Sequence, residues 1–231
     1  MQAVRILCWL AVGGAVFAAG ALATPVYNTP VDPSDWTGSR SIGSGLAGTG
    51  SWGQSFSISW VITESTPGTL HYKYTFSWQQ GAPSHAIFEL SEGCASAGAG
   101  CVWGFLFDEV EVTGSFGTFS GANPSNPNMP NPIYGVKIDR PDPADGLVLE
   151  FYSNRVPVWG NFYSKDGEAG GMGVNAVWNL GLETANAGSD NLLYFIARPD
   201  SEAMIPPIPE PGTMALLGAG LVALGLIRRR G

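Results

Sequence analysis

Alternation of apolar and polar side chains in two neighbouring segments constrains the fold more than any other feature of this sequence. Within 52–62 and 70–78 all apolar residues except Val61 share one parity, and mainly serine, threonine, histidine and lysine fill the other. A period of two is that of a strand with one buried face. The turn residues Glu64-Ser-Thr-Pro-Gly68 lie between the two segments, so the pattern predicts an antiparallel hairpin.

Further short apolar runs are separated by glycine- and proline-rich turns, and a helical period is not evident within residues 24–208. We therefore predict an all-β fold, an antiparallel β-sandwich with a jelly-roll-like arrangement. Besides the hairpin, the predicted strands are Ala86–Leu90, Val102–Val112, Ile133–Ile138, Leu147–Tyr152, Val156–Tyr163, Val174–Leu182 and Leu192–Ala197.

Length and charge limit the classes of partner. Residues 24–208 are enough for one sizeable core, which predicts a single domain. This segment contains 7 basic and 18 acidic residues, a formal charge of −11. A surface that acidic argues against nucleic acid and anionic lipid as partners.

The last residues of the chain form a separate signal. Pro209-Glu210-Pro211 is followed by an apolar run at 212–227 and then by Arg228, Arg229 and Arg230. As a helix the 16-residue run would reach roughly 24 Å, short of the ~30 Å bilayer core, although terminal arginines can reach the headgroups. We predict a single membrane span that holds the chain with its arginines in the cytoplasm.

The amino terminus carries an export signal. Arg5 precedes an uncharged run, and Ala21-Leu22-Ala23 has the small-x-small pattern that signal peptidase cleaves. We predict that residues 1–23 are a signal peptide and that the mature chain begins at Thr24.

In its three ordered parts the carboxyl terminus resembles the PEP-CTERM sorting signal of Gram-negative bacteria. The resemblance implies export across the inner membrane, a transient tether there, and processing by an exosortase-type membrane protease. It also implies delivery to the cell surface or extracellular space, often in producers of exopolysaccharide. The predicted organisation is a signal peptide at 1–23, a β-sandwich at 24–198, a proline-rich spacer at 199–208 and a sorting signal at 209–231.

Two cysteines of the predicted domain bracket a short glycine- and alanine-rich loop. Cys94 and Cys101 are predicted to form a disulfide in an oxidising compartment. Metal binding is the alternative, but no further ligand lies nearby in sequence.

Few residues suggest chemistry. Glu109 and Glu111 would share one face of a strand, at a spacing that paired carboxylates of glycosidases also use, but a solvated outer face is the favoured interpretation. His71 and His85 are the two histidines, and neither belongs to a nucleophile or metal motif. We predict no catalytic residues and no bound metal.

Two weaker features remain open. Asp139, Asp142 and Asp145 could offer oxygen ligands to calcium, although a charged turn is favoured over a cofactor site. The aromatic content could supply a sugar-stacking face, although aromatic residues more often fill sandwich cores. The tryptophans outside the hairpin are Trp36, Trp103, Trp159 and Trp178.

Three functions fit these features. The first is a non-catalytic exported surface or matrix protein, sorted by its tail and associated with exopolysaccharide or biofilm. The second is a carbohydrate-binding module. The third is a secreted glycan-cleaving enzyme using Glu109 or Glu111. We favour the first because the chain carries a specific sorting signal and no assembled catalytic motif.

Overall fold

A computed structural model describes residues 26–91, 94, 100–140, 148–166, 174–185 and 190–203. More than half of these residues lie in β-strands and very few in helices, which confirms the all-β prediction. Short 3-10 turns occur at Pro33–Asp35, Gly50–Gly53 and Leu192–Tyr194, and a one-turn helix, α1, at Leu180–Glu183. The strands of the described residues are β1 Thr37–Ile42, β2 Gly45–Thr49, β3 Phe56–Thr66, β4 Thr69–Trp78, β5 Pro83–Glu89, β6 Val102–Phe107, β7 Val110–Glu111, β8 Gly114–Phe119, β9 Ile133–Asp139, β10 Val148–Ser153, β11 Arg155–Gly160, β12 Phe162–Asp166, β13 Ala176–Asn179 and β14 Ile196–Ala203.

Twelve of these strands form one curled sheet. Its order is β7-β6-β10-β4-β3-β1-β2-β13-β12-β5-β9-β8, while β11 and β14 pair separately. Nearly all neighbours are antiparallel; β1 and β2 are parallel and join the two halves. The halves face each other, because the Tyr74 ring of β4 lies 4.3 Å from the Phe88 ring of β5. The two layers of the sandwich are therefore halves of one sheet.

The predicted hairpin is confirmed as β3 and β4. They pair antiparallel from Phe56 opposite Trp78 to Glu64 opposite Leu70. The apolar parity faces the core, and every second residue of β3 from Phe56 to Ile62 is buried. Removal of these large aliphatic and aromatic side chains from water drives the two layers together.

Several predicted strands are shorter than expected or broken. Val102–Val112 is interrupted by a turn at Asp108 and Glu109, whose φ angles are 52° and 66°. Val156–Tyr163 is divided at Asn161, where the chain passes from β11 to β12. One or two polar residues within an apolar run also fit the outward positions of a continuous strand, so the pattern merged separate elements.

Two further runs contain helical turns at one end. The run Val174–Leu182 ends in α1, and the run Leu192–Ala197 begins with a 3-10 turn before β14. A short apolar run does not distinguish a buried strand from a buried helical turn.

Strand β14 continues to Ala203, beyond the predicted domain end at 198. Residues 199–203 therefore belong to the β11–β14 sheet rather than to a spacer. Pro199 is tolerated there because β14 is an edge strand of a two-stranded sheet. Within the described residues, no helix has the length and apolar character needed to cross a membrane.

Arg198 of β14 binds side chains near the beginning of the described residues. It is 2% exposed, and its guanidinium donates to the Pro199 carbonyl at 2.9 Å and to Asn28 Oδ1 at 2.8 Å. Its Nε lies 3.6 Å from Glu89 Oε2, and Tyr27 donates its hydroxyl to Glu89 Oε1. Burial and the Glu89 carboxylate raise the pKa of Tyr27 well above its usual range, so it stays a donor.

Replacing Arg198 should destabilise the fold more than replacing an exposed cation. We expect Arg198→Ala to lower the free energy of unfolding by about 3 kcal/mol, because Glu89 would be left with an uncompensated charge. Lys73→Ala, which removes a half-exposed ion pair, should cost less than about 1 kcal/mol. Urea unfolding of both variants measures the difference, and equal effects would contradict this role of Arg198.

Candidate functional site

The sorting residues lie outside the described residues. This holds for Pro209, Glu210 and Pro211, for the span at 212–227, and for Arg228, Arg229 and Arg230. It also holds for the signal peptide with Ala21 and Ala23. Their assignment rests on the linear motif.

The paired carboxylates do not share a strand face, contrary to the prediction. Glu109 occupies the turn after β6 in a left-handed conformation, whereas Glu111 lies in β7. Both side chains are exposed. The spacing of a continuous strand therefore does not apply to them, because the two-residue turn reverses the chain.

The acidic cluster is described only in part. Asp139 forms an ion pair with Lys137, in which Nζ lies 2.6 Å from Oδ1. Asp142 and Asp145 lie outside the described residues. In the part of the chain that the structure describes, no three histidine, cysteine, aspartate or glutamate side chains are grouped to hold a metal ion.

The two cysteines are brought together as expected. Cys94 and Cys101 lie at disulfide-bonding distance, with Cα atoms 5.3 Å apart, and both are buried. Ser153 donates its hydroxyl to the Cys101 carbonyl at 2.5 Å, which connects this loop to the end of β10.

His85 is 2% exposed and lies on the face of β5 opposite to Phe88, against Tyr163 and the loop that carries Asn126. Its Nε2 lies 3.1 Å from Asn126 Oδ1 and its Nδ1 lies 3.1 Å from Ser84 Oγ. Asn126 Oδ1 can only accept, so Nε2 carries the proton and Nδ1 accepts from Ser84. Burial, with the Lys137 charge as a second cause, lowers the pKa of His85 to about 4. A satisfied, neutral core histidine is the result.

Most of the tryptophans outside the hairpin are buried or partly buried in the protein interior. Trp159 and Trp178 are buried and Trp36 is partly buried. Trp159 packs 5.4 Å from the buried Arg40 guanidinium. Trp103 differs, because 38% of it is exposed on the outer face of β6.

Three aromatic side chains lie in register across the outer face of the first layer. Trp103 of β6 is opposite Tyr152 of β10, and Tyr152 is opposite His71 of β4. The Tyr152 and His71 rings stack at 4.9 Å with an interplanar angle of 27°. We call Trp103, Tyr152 and His71 the outer-face row.

Charged groups border the outer-face row. Glu150 is two residues before Tyr152 in β10 and lies on the same outer face. Its Oε2 is 2.7 Å from His71 Nε2, and its Oε1 is 3.2 Å from Lys73 Nζ. About a quarter of the His71 and Glu150 side chains stays accessible. His71 was expected at the surface, but its grouping with Glu150 and Tyr152 depends on strand register, which the sequence alone does not provide.

The buried His85 should make stability depend on pH. The unfolded chain protonates this imidazole near pH 6.5, whereas the folded chain does so near 4. The stability that His85 contributes is therefore complete above pH 6.5 and is lost as pH falls towards 4. Between pH 7 and 5 this one group should lower the free energy of unfolding by about 2 kcal/mol.

Urea unfolding at pH 7 and pH 5 tests this dependence. His85→Gln should show a drop about 2 kcal/mol smaller than that of the wild type. Val61→Ala alters an exposed position without a titratable group and should retain the full drop. Identical drops in the wild type and His85→Gln would show that His85 is not the group responsible.

Comparison with known proteins bears on the carboxyl terminus. A family model described as the PEP-CTERM protein-sorting motif matches residues 207–230. No curated protein and no solved structure matches the chain. The match covers the Pro-Glu-Pro tripeptide, the apolar run and the arginines that carry the resemblance in the sequence. This chain therefore contains a PEP-CTERM protein-sorting motif at residues 207–230.

Proposed function

We propose that this chain is a non-catalytic exported protein, whose folded β-domain is delivered to the cell surface or extracellular matrix by its carboxyl-terminal motif. The observation that carries the proposal is the match of the sorting motif to residues 207–230. A PEP-CTERM motif is generally recognised by an exosortase, and it acts as a membrane-anchoring sorting tail.

The end of the folded domain suits this role. Strand β14 ends at Ala203, so residues 204–208 separate the paired sheet from Pro209. Three prolines at 206, 207 and 209 disfavour helix and strand pairing across this connection. A proline-flanked segment around Glu210 therefore suits recognition by a membrane protease.

The candidate catalytic groups support a non-catalytic role. Glu109 and Glu111 are both exposed, one in the turn of a hairpin and the other in its second strand. His85 is buried with both ring nitrogens hydrogen-bonded. We propose that the domain acts by its surface and carries no resident cofactor.

The route follows from the two ends of the chain. Signal peptidase removes residues 1–23 during passage through the inner membrane of a Gram-negative bacterium. The span at 212–227 then halts the chain with its arginines in the cytoplasm. Exosortase cleavage near Pro209-Glu210-Pro211 releases the domain from this tether.

Mass spectrometry of protein from medium and membranes, in an exosortase-containing host, tests this route. We expect the released form to end near Pro209–Pro211 and to lack the arginine tail. A variant with alanine at 209, 210 and 211 should accumulate in membranes with its carboxyl terminus intact.

Deleting the exosortase in the same host is the matched control, and should leave the wild type in the membrane as well. Recovery of the wild type only as an intact, membrane-embedded chain would contradict processing. Equal release of the alanine variant would contradict recognition of the tripeptide.

A further inference from the structure

We propose that the outer-face row is a glycan-binding site, in which the Trp103 ring stacks on a sugar ring of a neutral or amino-sugar polysaccharide. The inference deepens the proposed function, since a secreted domain that binds polysaccharide would be retained in a matrix. The site itself stands on the local structure of β6, β10 and β4.

Trp103 is exposed because a β-bulge interrupts the alternation of side chains along β6. In a regular strand Trp103, Phe105 and Phe107 would share one face, yet Phe105 and Phe107 are buried while Trp103 is outside. The pairing with β10 shifts register between Glu150 and Tyr152. Such a bulge inserts one residue into one strand and redirects the side chain beside it.

Gly104 is the residue that makes this break possible. Its φ is +64°, a left-handed conformation that glycine adopts without strain. A Cβ at this position would lie 3.1 Å from Tyr152 Cδ2. Any other residue at 104 would therefore crowd the Tyr152 ring, so glycine allows the bulge to form beside it.

The geometry of the row fits a chain of sugar rings. Adjacent strands lie about 4.8 Å apart, so the three side chains extend over about 10 Å. That is comparable to the length of a disaccharide. Sugar rings present apolar C–H faces to aromatic rings, and their hydroxyls extend sideways towards the bordering polar groups.

Glu150 supplies the polar contacts. Its carboxylate is fixed by His71 at 2.7 Å and Lys73 at 3.2 Å, so it does not have to be ordered when a ligand arrives. Carboxylate oxygens accept from sugar hydroxyls, and the lysine ammonium donates to them. A few fixed polar groups beside an apolar platform are typical of small-ligand sites.

The surroundings favour a glycan over a protein partner. The neighbouring outward residues of β3 and β4 are the hydroxyl side chains of Ser59, Thr63 and Thr75 and a single exposed aliphatic side chain, Val61. A stable protein interface needs a broader patch with an apolar centre, about 800 Å² on each partner. The formal charge of −11 on residues 24–208 disfavours anionic polymers and leaves neutral and amino-sugar chains.

Affinity electrophoresis of the full chain in detergent tests the site independently of sorting. The gels contain dextran, a mixed-linkage β-glucan, soluble chitosan or alginate. We expect retardation by at least one of the first three, and none by alginate. Trp103→Ala should weaken the binding at least about tenfold, whereas Trp103→Phe should retain part of it.

Phe116→Ala is the matched control, because Phe116 of β8 is also 38% exposed but lies outside the row. It should leave retardation unchanged. Glu150→Gln should weaken binding without changing the circular dichroism spectrum. A variant that fails to fold is detected by the same spectrum, and Trp103→Phe then decides.

Three results would overturn the proposal. They are no retardation by the three neutral or amino-sugar polymers, retardation unaffected by Trp103→Ala, and self-association of the wild type that Trp103→Ala removes. The last would identify the row as a protein interface. None of them depends on exosortase cleavage, so they do not bear on the proposed route of export.

Discussion

Burial of aromatic rings between the two halves of one sheet is the interaction on which this structure depends. Phe76 of β4 lies 5.9 Å from Phe162 of β12, and Phe151 of β10 lies 6.1 Å from Phe88 of β5. Each large ring removed from water contributes on the order of 2 kcal/mol or more. Because the halves are continuous through β1 and β2, closing the sheet brings both layers together and fixes which face remains outside.

The alternation of apolar and polar residues predicted those strands whose pairing depends on residues close in the sequence. β3 and β4 follow from alternation and a Pro-Gly turn. The sequence did not identify β1, β2 or β8, whose glycine- and serine-rich segments have little intrinsic strand preference. These strands form because pairing with β3, β13 and β9 satisfies their backbone groups, an interaction that comes from residues distant in the chain.

The two candidate sites differ in how far a sequence can reveal them. The sorting motif is read as a linear segment, so its order of tripeptide, apolar run and arginines was sufficient. The outer-face row depends on register. Alternation alone would place Trp103 inside with Phe105, and only the shift against β10 at Gly104 places it outside. The glycine between two aromatic residues was the available signal, since an isolated glycine in a strand often marks a bulge.

The position of the row relative to the tail connects the two proposals. Ala203, the last residue of β14, is opposite Arg155, which follows Tyr152 by three residues, and Tyr72 donates its hydroxyl to the Arg155 carbonyl at 3.0 Å. The row therefore lies towards the end of the sandwich from which the tail departs. Residues 204–211, which connect β14 to the predicted span at 212, can reach at most about 29 Å. A tethered domain would thus hold the row close to the bilayer, and cleavage at 209–211 would allow it to reach polymers farther out.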